Sequence, residues 1–221
     1  DLHSFPTRRS SDLIMPTGSG KTAVLNLSAY LLRAKRVLVI SSSVMVRGQI
    51  VEEFSLLKTL KGSNVFHADL ELPKVKEIKS PIKSLEEWEA LKEFDVVVGI
   101  PNSINEGIND VFTPEVDLFD LILVDEAHHV PAFTWTNVVK RFTHSNKIFF
   151  TATPFRRDKK EIEGRVAYNY PLTKAYEDKI FGKIGYYPVI TDSPDTDLAI
   201  AIQAETIFKQ DKAAGLRHYM M

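Results

Sequence analysis

The run Met15-Pro16-Thr17-Gly18-Ser19-Gly20-Lys21-Thr22 constrains this chain more than any other stretch. Two glycines separated by one residue let the backbone turn its N–H groups around an anion, because glycine enters left-handed conformations without steric cost. The apolar-rich segment from Ala23 to Ala34 then starts a helix whose N-terminus faces that anion. A phosphate-binding loop of this kind requires a strand before it and a helix after it. Thr17, Gly18, Ser19, Gly20, Lys21 and Thr22 are the candidate nucleotide-binding residues. Lys21 reaches the terminal phosphates, and the Thr22 hydroxyl is offered to Mg²⁺. The strict form of the motif has glycine where this chain has Met15.

The rest of the chain supplies the fold that such a loop needs. Short runs rich in Val, Ile, Leu and Phe alternate with helical stretches, which predicts an α/β fold with a mostly parallel sheet and helices on both faces. Strands are expected at Arg36 to Ile40, Asp95 to Gly99, Leu121 to Val124 and Lys147 to Thr151, each nearly continuous in apolar residues. Helices fit at Thr22 to Ala34, Val44 to Lys58, Ser84 to Lys92, Asn102 to Asn109 and Ala132 to Arg141. Ser84 and Glu87 have capping-box spacing. The charged stretch Lys61 to Pro81 reads as an exposed connector. Trp88 and Trp135 fall in helical patterns and read as packing residues.

Composition narrows the partners. Apolar residues make up 44% and charged residues 26% of 221, the balance of a folded chain. The net charge of -1 means that contact with a polyanion requires a local basic groove, not the field of the whole molecule. There is no cysteine, which excludes disulfides and thiolate metal sites and fits a cytoplasmic protein. The longest apolar runs are strand-sized, so no membrane span is expected.

Both ends of the chain read differently from its middle. His3 to Leu13 resembles the translation of a common sequencing-adapter oligonucleotide, so residues 1–13 are read as an adapter-like artefact outside the native fold. On that reading most of the strand leading into the loop is lost, and the ATP-binding domain covers 14–190. Lys183 to Ile190 reads as a strand, Thr191 to Asp197 as a linker and Leu198 to Ala213 as a helix. Residues 191–221 are the linker and the start of a further domain.

A second chemical motif, Asp125-Glu126-Ala127-His128, directly follows the apolar run Leu121 to Val124. Ligands of open α/β sheets bind beyond the carboxyl ends of the strands, so these carboxylates belong beside the phosphate loop. Asp125 then holds Mg²⁺, while Glu126 orients and deprotonates the water that attacks the γ-phosphate. His128 and His129 lack the spacing of a zinc pair.

Together these motifs resemble the first RecA-like P-loop NTPase domain of superfamily 2 DEAD/DEAH box helicases. Asp125-Glu126-Ala127-His128-His129, Thr134-Trp135 and Thr151 to Asp158 (Thr-Ala-Thr-Pro-Phe-Arg-Arg-Asp) resemble the restriction-enzyme res-subunit branch in particular. Val37 to Gln49 resembles the strand and turn that touch the nucleic-acid backbone, with Ser42 and Val44 in place of Pro and Arg. Val96 to Pro101 resembles a segment that usually ends Ala-Thr-Pro, with Ile100 in place of the threonine.

The resemblance implies an ATP hydrolase, with ATP and Mg²⁺ as cofactors, that drives movement on or unwinding of nucleic acid. Lys21, Asp125 and Glu126 are then catalytic. His128 links the ATP site to a second RecA-like domain, and Thr151 and Thr153 couple hydrolysis to the nucleic-acid groove. DNA is favoured over RNA as partner, with a nuclease or methyltransferase as a further candidate. Arginine fingers would come from the second domain, so the 221-residue chain is expected to bind nucleotide without acting as a motor.

Two other classes use the same loop. A P-loop kinase or transport-type ATPase acting on a small molecule or protein accounts for Lys21, Thr22 and the carboxylates, but not for Thr151-Ala152-Thr153-Pro154. A nucleotide-binding module without turnover is the third reading. Tyr168, Tyr170 and Tyr176 read as packing residues rather than base-stacking ones. The cluster Arg156, Arg157, Lys159 and Lys160 is balanced between a phosphate-binding patch and a solvated face.

Overall fold

The computed structural model describes residues 10–105, 114–127, 137–138, 141–152, 165–181, 187–191 and 195–215. Seven strands form one sheet: β1 (Ser10–Ile14), β2 (Val37–Ile40), β3 (Val75–Glu77), β4 (Val96–Gly99), β5 (Leu121–Val124), β6 (Asn146–Thr151) and β7 (Arg165–Asn169). Their order is β3-β4-β2-β5-β6-β1-β7, and every neighbouring pair is parallel. The helices among the described residues include α1 (Lys21–Leu31), α2 (Val44–Leu56), α3 (Lys58–Gly62), α4 (Leu85–Ala90), α5 (Pro101–Asn105), α6 (Leu172–Glu177) and α7 (Thr196–Ala213). The chain divides into a first unit, Asp1–Phe181, and a second, Gly182–Met221.

The continuous apolar strands arise because both sheet faces are covered. Alternate residues of β2 serve two cores: Leu38 and Ile40 join Val97, Ile122, Trp88 and Phe142 on one face. Val37 and Val39 join Leu25, Ile50, Phe54 and Phe150 on the other. Trp88 is thus the packing residue that its helical pattern predicts. Strands β2, β4, β5 and β6 each lie within a residue of their expected bounds. The Ser84 hydroxyl caps α4 by accepting from the Glu87 N–H at 3.2 Å, while the Glu87 carboxylate accepts from Lys83 N–H at 2.7 Å.

Several expectations change. The stretch 61–81 is not only a connector: Val75–Glu77 is an edge strand, and Ile78 and Ile82 are buried. Charge hides this strand in the sequence because its polar side chains are paired. Buried Arg47 donates through Nε to Glu77 at 2.8 Å and through a terminal nitrogen to the Ile78 carbonyl at 2.9 Å. Helix α2 stops at Leu56, since Leu57 turns left-handed at φ 49° and α3 begins. Helix α1 ends at Leu31, before Arg33 at φ 51°.

Tyr168 is exposed on edge strand β7, where it stacks on Tyr170 at 6.4 Å, so packing in the core does not describe it. The expected strand Lys183 to Ile190 lies partly outside the described residues, and 187–190 are not in a strand. Helix α7 matches its expectation, capped by the Asp195 carboxylate accepting from Leu198 N–H at 2.9 Å. Residues 106–113 and 216–221, and most of the predicted helix Ala132 to Arg141, including Trp135, lie outside the described residues. Among the described residues, no helix is long and apolar enough to cross a membrane.

Ser10–Leu13 occupy a sheet position between β6 and β7, although the sequence reading sets them outside the native fold. Strand β1 is an unusual interior strand. Asp12 is 4% exposed, its Oδ1 lacks a hydrogen-bond partner, and burial pushes its carboxyl from 3.8 up to about 6. The folded state therefore holds this proton more tightly than the unfolded chain. Stability is expected to be greatest below about pH 4 as far as this group is concerned, and to fall as pH rises toward 6. The loss is on the order of 3 kcal/mol. Urea denaturation of Asp12→Val at pH 4 to 7 should show that dependence removed and stability at pH 7 raised.

Candidate nucleotide site

Parallel pairing carries the carboxyl ends of β1, β2, β4, β5 and β6 to one edge of the sheet. The ladders continue past the strands: Met15 N–H donates to the Thr151 carbonyl at 2.8 Å, Ser41 N–H to Gly99 at 3.0 Å, and Asp125 N–H to Ile40 at 2.8 Å. The roots of the phosphate loop and of the acidic motif are therefore fixed by backbone bonds on that edge.

The loop has the shape that its glycines permit. Gly18 and Gly20 stand at φ 83° and 89°, a region that costs a side-chain-bearing residue roughly 1 kcal/mol or more. Ser19 closes the turn, with its N–H and hydroxyl donating to the Pro16 carbonyl at 3.2 and 2.7 Å. Thr17, Gly18, Gly20 and Thr22 are exposed and Ser19 is half-buried. Helix α1 starts at Lys21, and Gly20 accepts its first backbone bond from Val24 N–H at 3.1 Å.

Lys21 does not point to solvent. Its Nζ donates to Glu126 Oε1 and lies 3.5 Å from Asp125 Oδ1, joining residues more than a hundred positions apart. Lys21 and Asp125 are both buried, and Glu126 is partly so. Burial pushes the Asp125 carboxyl above the usual carboxylate range; Lys21 pulls it back, and the negative Glu126 pushes it further up. Asp125 Oδ1 has no hydrogen bond, so the ion pair is its main compensation. Glu126 stands at φ 50°, a left-handed conformation that turns the chain directly after β5.

The structure thus brings Lys21, Asp125 and Glu126 together and sets Thr22 at the head of the same helix. Thr151 is fully buried at the end of β6, beside Ile14. His128, His129, Thr134, Thr153, Arg156, Arg157, Lys159 and Lys160 lie outside the described residues. The ion pair between the two motifs is not legible in sequence, where each motif reads as facing a ligand. Phe181 was also missed: a Cβ on Gly18 would lie 3.3 Å from its ring.

The sequence profile of the family described as "Type III restriction enzyme, res subunit" matches residues 5–156. The chain is 26% identical over 191 residues to "Putative helicase 22" of Sulfolobus islandicus filamentous virus (isolate Iceland/Hveragerdi), a match covering 81% of this chain and 31% of that protein. The chain thus spans about a third of the length of that relative. Among solved structures, the UvsW helicase from bacteriophage T4 matches with a TM-score of 0.51 at 17% identity. That match covers 72% of this chain and 54% of the phage protein, and it shows a shared RecA-like fold.

The ion pair has a direct consequence for titration. Lys21→Met removes the cation that lowers the Asp125 carboxyl, so this carboxyl is expected to titrate at still higher pH than in the parent. Carboxyl ¹³C NMR across a pH series measures it. An unchanged titration would mean that Lys21 is not the neighbouring charge.

Proposed function

The chain belongs to the type III restriction enzyme res-subunit family, and we propose on that premise that Lys21, Thr22, Asp125 and Glu126 form the ATP site of a nucleic-acid-dependent ATPase. Its work is that of a helicase or translocase acting on duplex DNA. The observation that carries this reading is the meeting of Lys21 with Asp125 and Glu126 at the carboxyl edge of a parallel sheet.

The residues present fit ATP and Mg²⁺. Exposed backbone at Gly18 and Gly20 offers N–H groups to phosphate. Asp125 carries a buried oxygen without a hydrogen bond, the chemistry of a ligand for a hard cation or its water. In this reading Thr17 to Thr22 bind the phosphates, and Thr22 and Asp125 hold Mg²⁺. The cation, when bound, neutralises charge that develops on the transferred phosphoryl group.

Lys21 exchanges its carboxylate partners for the β- and γ-phosphate oxygens as ATP enters. Glu126, released from Lys21, becomes a carboxylate acceptor that orients the attacking water and takes its proton. Thr151 and Thr153 couple this site to the nucleic-acid groove, and His128 couples it to a second RecA-like domain. The name of the viral relative, a helicase, supports a nucleic-acid-dependent motor over a small-molecule kinase.

Three variants test these roles. Lys21→Ala is expected to weaken Mg-ATP binding by roughly 10- to 100-fold, the worth of a charge-assisted bond; calorimetry that finds parental affinity refutes the loop assignment. Glu126→Gln should bind ATP as the parent does and lose roughly 10²- to 10⁴-fold in turnover. In a chain that also carries the second domain, Thr151→Ala with Thr153→Ala should keep ATP affinity and lose stimulation by DNA. Parental DNA-stimulated rates in that double variant would remove the coupling role.

A further inference from the structure

The segment after β7 approaches the phosphate loop at Phe181. Gly18 stands at φ 83°, and a Cβ built there would lie 3.3 Å from Cε1 and 3.9 Å from Cζ of Phe181, so the edge of the ring faces Gly18 across the space a side chain would fill. The ring is half-buried and meets Tyr176 edge-on, with centroids 6.1 Å apart and planes at 61°.

Phe181 is itself well fixed. Tyr170 N–H donates to the Ile14 carbonyl at 2.8 Å, which ties the end of β7 to the residue preceding the loop motif. Helix α6 follows, anchored by fully buried Ala175. It closes with Ile180 N–H donating to the Ala175 carbonyl at 2.9 Å, around Lys179 at φ 59°. Asp178 accepts from the Tyr170 hydroxyl at 2.8 Å and from Lys174 at 2.7 Å. The ring is therefore carried by an arm that is rooted where the loop itself is rooted.

A loop with two glycines has many conformations to lose before its N–H groups can converge on a phosphate. Contact that holds it in the converged shape raises affinity by reducing that loss, without touching the ligand. We propose that Phe181 is a positioning residue of the nucleotide site, its ring bracing Gly18 so that the loop is ready for phosphate; this rests on the ATP-site reading above. The ring presents no polar group, so it acts by packing alone. The brace belongs to the protein before any ligand arrives.

The test uses the full chain with Phe181→Ala and Phe181→Tyr, and with Phe181→Leu, which keeps apolar bulk without the ring and serves if the alanine variant fails to fold. Hydrogen exchange of the amides at 17–22 is followed without ligand, and calorimetry is run with Mg-ATP and with Mg-tripolyphosphate. Phe181→Ala should speed loop exchange and weaken both ligands by a similar factor, roughly tenfold. Phe181→Leu should fall between, and Phe181→Tyr should match the parent. Unchanged exchange and affinity would overturn the brace. Tighter binding would also overturn it, because the ring would then be occupying ligand space, as would a loss confined to ATP, which would make the ring a surface for the base. If the parent binds neither ligand, the ATP-site reading fails, while loop exchange still decides whether Phe181 holds Gly18.

Discussion

Parallel pairing of β1 with β6, and of β5 with both β6 and β2, is the constraint from which the site follows. In an antiparallel arrangement of the same strand order, β2 and β6 would run against β1 and β5, and the ends of β2 and β6 would leave the edge opposite to the phosphate loop and the acidic motif. With all strands running one way, Met15, Ser41, Asp125 and the end of β6 emerge on one edge. Parallel strands require helical crossovers, which is why the apolar runs are continuous and why two cores are needed. Fold and site are thus consequences of one choice of strand direction.

The electrostatics of that edge explain why Lys21 is turned inward. Two carboxylates placed beside each other in a buried position repel, and each loses hydration. Lys21 offsets part of both effects, and the Asp125 carboxyl is nevertheless held above its usual range by burial. On the proposed reading, a triphosphate would offer Lys21 a competing set of anionic oxygens, and a divalent cation held by Thr22 and Asp125 would replace the lysine beside Asp125. On this account the two binding events are linked: drawing Lys21 away leaves a buried negative pair, which then favours the cation. Ligand and metal would enter as one cooperative unit.

What could be read in the sequence is what local composition encodes. Strand β5 and its carboxylates, strand β6, and the loop with its helix all announce themselves, because runs of β-branched residues and a glycine pair have few alternative uses. Strand β3 did not, because Lys76 and Glu77 look like surface charge until Arg47 is seen reaching Glu77 from another element. Helix breaks at Leu57 and Arg33 were equally hidden, since neither residue type favours a left-handed conformation and tertiary packing sets both. The Lys21 ion pair and the contact of Phe181 with Gly18 join residues more than a hundred positions apart. Only the folded chain brings them together.

The loop is held at several points that come from sequence well beyond it. Met15 is fixed by the Thr151 carbonyl and Ile14 by the Tyr170 N–H, so β6 and β7 grip the chain on either side as it enters the loop. These are backbone bonds, indifferent to the side chains that make them. That separates two roles at Thr151: its carbonyl anchors the loop whatever the residue, while the coupling role proposed for Thr151 would belong to its hydroxyl. Removing the hydroxyl should therefore leave the loop root in place. Asp12 makes the distal anchors matter more, because a buried carboxyl weakens β1 and leaves the loop dependent on its neighbours. A phosphate loop supported by a poor strand of its own can still be well positioned when the strands on both sides define where it begins.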